Sequence, residues 1–208
     1  MVIKIILIMG LIAGGTAKTI EHHEPLYGHS EVISEPVQIP VENEQPIQWP
    51  LSRGEAEILP IASYSVSGIV VGTKRYDSGW ESEVAPIDIA IIWGELTTPE
   101  VRRYMKYSQR TRWVYYEWKS GCPVKPEYIE SHVSNNHCIP ANDRIEKALF
   151  KIQKEDEVTL EGMLVKIDGK WDDTTVYWHS STTRTDTGDG ACEVMFVKRV
   201  TINGTVFE

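Results

Sequence analysis

Two polar segments carry most of the side chains in this chain that could do chemistry. The first runs from Ser131 to Asn142 as S-H-V-S-N-N-H-C-I-P-A-N. It offers His132, Ser134, Asn135 and His137 as candidate binding residues, because imidazoles, amides and hydroxyls donate, accept or ligate. His132 and His137 are five residues apart, not the four that put two ligands on one helical face. No neighbouring Glu completes an H-E-x-x-H zinc motif. The competing reading is a loop whose Ser and Asn side chains satisfy its own backbone.

The second segment runs from Trp178 to Glu193 as W-H-S-S-T-T-R-T-D-T-G-D-G-A-C-E. Its candidates are His179, Ser180, Arg184 and Asp186. Asp186-Thr187-Gly188 matches the aspartic-protease triplet, but that chemistry needs a second carboxyl sharing its proton, and no second D-T-G exists. Asp186, Asp189 and Glu193 lack EF-hand order, so no metal site is assigned. If the two segments converge, Ser180 or Ser181 with a His and an Asp would form a nucleophile set. No G-x-S-x-G elbow supports it. No cofactor is expected.

A third feature is the aromatic and basic run Arg110, Arg112, Trp113, Tyr115, Tyr116, Trp118. On one strand, Trp113 and Tyr115 share a face, and Arg112, Tyr116 and Trp118 share the other. Such a face can stack bases or sugars, or simply be half core and half cover. The chain has 30 acidic and 21 basic residues, a formal charge of −9, so nucleic acid is not the expected partner. A local patch (Arg102, Arg103, Lys106, Arg110, Arg112) runs the other way.

The elements that must position these groups follow from periodicity and turn residues. Strands are expected over 58–73, alternating from Tyr64 with Gly68 marking a bend or bulge, and over 86–93, 110–118, 157–167, 174–178 and 192–202. A helical turn is expected within 97–107. Turns are expected at Asp168-Gly169 and Asn203-Gly204. A helix over 143–152 is capped by Asn142, with Ile145, Ala148, Leu149 and Ile152 on one face. Three strands, a helix and two strands is the order of a small five-stranded, OB-like Greek-key barrel of the oligonucleotide/oligosaccharide-binding class. The alternatives are an α+β sheet or a split β-sandwich.

Residues 1–17 read as an export signal. Lys4 precedes the apolar stretch Ile5–Ala13, and Gly15-Thr16-Ala17 places cleavage after Ala17. The alternatives are an uncleaved anchor or the first strand of a cytosolic protein. No other stretch is long enough to span a bilayer, so an integral membrane protein is not expected. Residues 18–50 are acidic and proline-spaced, which predicts an extended, solvated arm whose removal would barely change the melting temperature. Residues 51–208 are expected to form a single β-barrel-like domain. With three cysteines, one disulfide and one remaining thiol suit an oxidising compartment. Cys122–Cys138 is the favoured pair, since it closes a short proline-containing loop.

Three strings also carry a resemblance: Pro86-x-Asp88 with Trp93-Gly94; Ser134-Asn135-x-His137-x-Ile139-Pro140-Ala141; and S-S-x-x-R-x-D-T-G-x-G-x-C-E from Ser180 to Glu193. From about Tyr64 onward the chain resembles a group of uncharacterised bacterial exported proteins. The resemblance implies bacterial export, hence a periplasmic or secreted location, and nothing about chemistry. The expected function is a non-catalytic binding or envelope-interaction module, its partner an envelope component or small ligand. The alternative is a hydrolase using the His/Ser/Asp constellation, with or without a metal. A nuclease-like barrel is disfavoured, because no Arg/Glu/Asp set with calcium-site spacing falls on the expected strands.

Overall fold

The computed structural model describes residues 32–183 and 192–208. The export signal, the first part of the arm, and Arg184 and Asp186 lie outside the described residues. The chain forms β1 (Val37–Pro40), β2 (Ile47–Leu51), β3 (Gly54–Arg75), α1 (Trp80–Val84) and β4 (Ile87–Ile92). A single 3-10 turn (Glu95–Thr97) and α2 (Pro99–Arg102) lead to β5 (Met105–Arg110), β6 (Trp113–Trp118) and α3 (Pro126–Ser131). Then come β7 (Val133–Pro140), α4 (Asp143–Leu149), β8 (Glu157–Trp171), β9 (Thr174–His179), β10 (Glu193–Ile202) and β11 (Thr205–Phe207).

The molecule is mainly β, but it is not the small five-stranded barrel expected. Among the described residues, eleven strands form a nine-stranded mixed sheet and a separate β5–β6 ribbon. The sheet path is β1-β3-β4-β7-β10-β8-β9, with β2 added to β3 and β11 to β10. The long strand β3 also pairs β8 from Gly54 to Ile69. All these ladders are antiparallel except β7–β10, which is parallel.

A strand of 22 residues cannot keep one face on one core. In β3 the register with β8 shifts between Pro60 and Ala62. An extra residue turns a strand over, because side chains alternate with period two. Accordingly Ala56 and Ile58 pack in one cluster with Val165, Ile167 and Val194. Ala62, Tyr64 and Val66 pack in another, with Ile87, Ile89, Ile91 and the apolar face of α4. Gly68 then marks a close approach: a Cβ there would collide with the Ile92 carbonyl oxygen.

The helix at 143–149 forms where its pattern predicts. Asn142 Oδ1 accepts from the amides of Arg144 and Ile145 at 2.9 and 3.0 Å, and Ile145, Ala148 and Leu149 are buried. Three local readings are corrected. Residues 133–140 are a buried central strand, not a loop. Asp168-Gly169 lies inside β8, which turns instead at Asp172. The run 110–118 is broken by a hairpin turn at Thr111-Arg112.

The Cys122–Cys138 disulfide is also corrected, as no bridge forms. Cys138 is fully buried beside Ile87, Ile89 and Ile91. Cys122 packs with Ala90 and Ile92 on the opposite face of the same strand. Burial, with Asp88 nearby, pushes the Cys138 thiol well above its ordinary pKa.

The arm is extended, as its prolines dictate, but from Ile33 it is paired to the sheet rather than free, with many of its side chains still exposed. Ile33 bridges Gly94, β1 pairs β3 through residues 62–65, and β2 pairs β3 through residues 54–58. Ile47 and Trp49 pack against the cluster holding Ile58 and Phe196, in which Leu51 is itself buried. Deleting residues 1–51 should therefore lower the melting temperature by at least about 5 °C, each kcal/mol being worth roughly 2–4 °C at this size. A melting curve that does not move would show that these strands contribute nothing.

Candidate functional site

Asp88 is a single acid inside the apolar strand I-D-I-A-I-I, and it has no exposed surface. Alternation makes the site. Ile87, Ile89 and Ile91 face the main core, which leaves Asp88 on the other face with Ala90 and Ile92. The neighbouring strand β7 is in register, with Asp88 opposite His137 and Ala90 opposite Asn135. His137 and Asn135 therefore share the face of Asp88.

The β5–β6 hairpin closes over that face. Its two-residue turn holds Thr111 at φ 48° and Arg112 at φ 61°. Two-residue hairpins demand positive φ, but usually from Asn or Gly; a β-branched Thr there is strained, at a cost of roughly 1–3 kcal/mol. The surroundings hold it in place. The Arg112 amide donates to the Tyr76 hydroxyl at 2.9 Å. The Arg112 carbonyl accepts from Asn135 Nδ2 at 2.9 Å. Arg112 Nη1 donates to Asp88 Oδ1 at 2.9 Å and to the Ala85 carbonyl at 3.2 Å. Its guanidinium lies over the rings of Tyr76 and Trp178, 4.0 and 5.0 Å from their centroids.

Asp88 is thus answered on every side. Oδ1 also meets His137 Nδ1 at 2.9 Å, and Oδ2 accepts from Asn135 Nδ2 at 3.3 Å. Gln109 Nε2 donates to Asn135 Oδ1 at 2.7 Å, tying the hairpin down a second time. Tyr76, mainly through burial and secondarily through the Asp88 charge, is pushed up to about 12.

Above this floor is a pocket of about 430 Å³, lined by Trp80 and Glu81 of α1, Arg112 and Trp113 of the hairpin, His137, then Tyr177, Trp178 and His179 of β9, and Cys192. His137 is nearly buried, its ring 4.5 Å from that of Trp178. With Nδ1 engaged by Asp88, its Nε2 has no hydrogen-bond partner among the described residues.

Of the sequence candidates, the fold brings His137 and His179 to one pocket, with Asn135 beneath it. His179 Nε2 also meets Asp168 Oδ1 at 3.2 Å on the exposed sheet edge. His132 lies elsewhere: it stacks on Tyr128 at 3.6 Å, and its Nε2 meets the Glu35 carboxylate at 2.6 Å. The same carboxylate accepts from Trp93 Nε1 at 2.9 Å, so His132 helps pin the arm. Ser134 is buried and accepts from Asn136 Nδ2 at 2.8 Å. Ser180 Oγ donates to the Ser181 carbonyl at 2.8 Å and accepts from the Val194 amide at 3.1 Å, which fixes the start of β10.

The residues missed are Asp88, Tyr76, Gln109, Trp80 and Cys192. For Asp88 the available signal was its isolation in an apolar strand. Among the described residues, no group of three or more His, Cys, Asp or Glu side chains is placed to hold a metal ion. No helix among them is long and apolar enough to cross a membrane. No known protein family, curated protein or solved structure matches the chain.

Asp88→Asn leaves Arg112 facing an amide instead of a charge. The expected loss is about 3–5 kcal/mol in urea denaturation, the cost of breaking a buried pair from one side. A loss below about 1 kcal/mol would show that the carboxylate is not the anchor. The Tyr76 phenol gives a second check. Its folded pKa lies above the value of an unfolded tyrosine, so its stabilising effect is complete below pH 10 and is lost as pH rises towards 12. In alkaline denaturation, Tyr76→Phe should flatten the fall over that range; an unchanged profile would refute this.

Proposed function

We propose that this protein is a non-catalytic binding module of the bacterial envelope, exported by its N-terminal signal, with its ligand in the pocket over His137. The observation that carries this reading is the build of the pocket. Aromatic walls from three separate segments stand on a floor whose polar groups are locked by Asp88. Ligand sites are commonly concave, aromatic-lined and pre-formed, with a few convergent polar groups. Locked groups lose little freedom when a ligand binds, which favours affinity. The strings behind the bacterial resemblance support the same location, since Asp88, Asn135, His137 and Cys192 all belong to them.

The finer fold reading belongs with this proposal. Strands β3, β4, β7, β10 and β8 pair in sequence, and β8 pairs β3 again. We read these five as an OB-like core, with α4 between its third and fourth strands and the remaining strands as additions. In that class a sheet face and its flanking loops bind ligands, and β7, α1, β9 and the β5–β6 hairpin surround the pocket here.

One observation favours the second reading, a hydrolase: an imidazole held by a buried carboxylate, with the Cys192 thiol in the same pocket. Ser180 and Ser181, the alternative nucleophiles expected from sequence, both make backbone contacts instead. A thermal-shift screen of small molecules against wild type and His137→Gln decides between them. The binding reading expects ligands that raise the wild-type melting temperature, lose that effect in the variant and are recovered chemically unchanged. Ester or amide turnover that vanishes with His137 would overturn it.

A further inference from the structure

We propose that the pocket over His137 is a saccharide site, an assignment that rests on the binding reading above. A pyranose presents two flat C–H faces and a rim of hydroxyls that both donate and accept. The pocket offers surfaces of both kinds. Trp80 and Trp178 meet edge to face, with ring centroids 6.0 Å apart at 81°, so their flat surfaces point in different directions. Trp113 stands on the hairpin turn, and Tyr177 is 72% exposed on β9. Such rings cover apolar area at little entropic cost, having only two side-chain torsions each. Around them are Glu81, an acceptor for hydroxyls, and the donors or acceptors Arg112, His137 and His179. Arg112 Nη2 is buried with no hydrogen-bond partner among the described residues.

Other ligand classes meet specific obstacles. A quaternary ammonium would suit an aromatic cage, but Arg112 already lies over the Trp178 ring and would repel it. A nucleic acid needs a positive field, whereas the chain carries −9 and the Arg112 charge is already faced by Asp88. A wholly apolar ligand would cover His137 Nε2 without giving it a partner, at the usual cost of an unsatisfied polar group. A neutral polyhydroxyl compound gives His137 Nε2 a hydroxyl partner and covers the rings. A volume of about 430 Å³ is within the ordinary range for small-ligand sites.

The test titrates the full chain with triacetylchitotriose and with maltotriose, followed by tryptophan fluorescence and calorimetry. A neutral and acidic oligosaccharide panel follows if neither binds. The expected result is saturable binding with a Kd in the micromolar to millimolar range. Trp113→Ala should weaken it by about tenfold or more, as loss of a central aromatic contact does. Tyr177→Ala, at an exposed position that folding does not need, should weaken it severalfold and carries the test if the Trp113 variant does not fold. If no oligosaccharide binds while a non-sugar from the thermal-shift screen does, the saccharide assignment fails and the binding reading stands. Sugar binding that both variants leave intact would place the sugar elsewhere and overturn the assignment. Hydrolysis of the probes would overturn both readings.

Discussion

A carboxylate with no exposed surface must have its charge and lone pairs answered inside the protein, and Asp88 makes that demand at the centre of β4. The answers come from two places far apart in sequence: His137 and Asn135 on the next strand, and Arg112 at a hairpin tip. Each answer fixes something else. Arg112 fixes the hairpin turn, the turn fixes Trp113, and the same guanidinium packs on Trp178 of β9. Removing the charge would leave Arg112 facing an amide and loosen the strained turn. Buried ion pairs are weak evidence of stability in general. Here the pair instead fixes the geometry of a surface.

The strained turn follows the same logic. Thr111 and Arg112 are poor residues for a two-residue hairpin, yet the turn must bring a guanidinium down onto Asp88. A turn sequence of Asn-Gly would relieve the backbone and lose the anchor. Strain held by its surroundings at a site of polar convergence is a common mark of function. The pocket lies directly above it.

The arm shows a different constraint. Strand β3 is so long that, with β8 on one edge, its other edge is only partly covered by β4. An open edge with unpaired amides is a template for aggregation. β1 and β2 fill that edge, and Glu35 ties the arm to His132 and Trp93. A proline-rich segment suits this role, because proline is tolerated at edges, where one side of the strand needs no partner. Its acidic side chains remain outside.

Local rules reached far into this protein. Alternation over 157–167 and 192–202 identified strands, and Asn142 with the 145–152 apolar stripe identified a capped helix, because those signals depend only on neighbouring residues. The element order led to a mainly β sheet with a helix between the third and fourth long strands. What sequence could not determine was how pairing distributes the faces. Residues 133–140 are polar, yet they form a buried central strand, because Asp88, Gln109 and Arg112 from other elements satisfy Asn135 and His137. Polarity reads as exposure until the partners are known. The same blindness placed a disulfide between Cys122 and Cys138, whose side chains pack on opposite faces of β4. It also joined His132 to a site it does not share. Only the register of β4 against β7, and the hairpin folded over them, decided that Asp88, His137 and Arg112 would meet. That register is set by long-range hydrogen bonds and by core packing, and neither is visible in a local pattern.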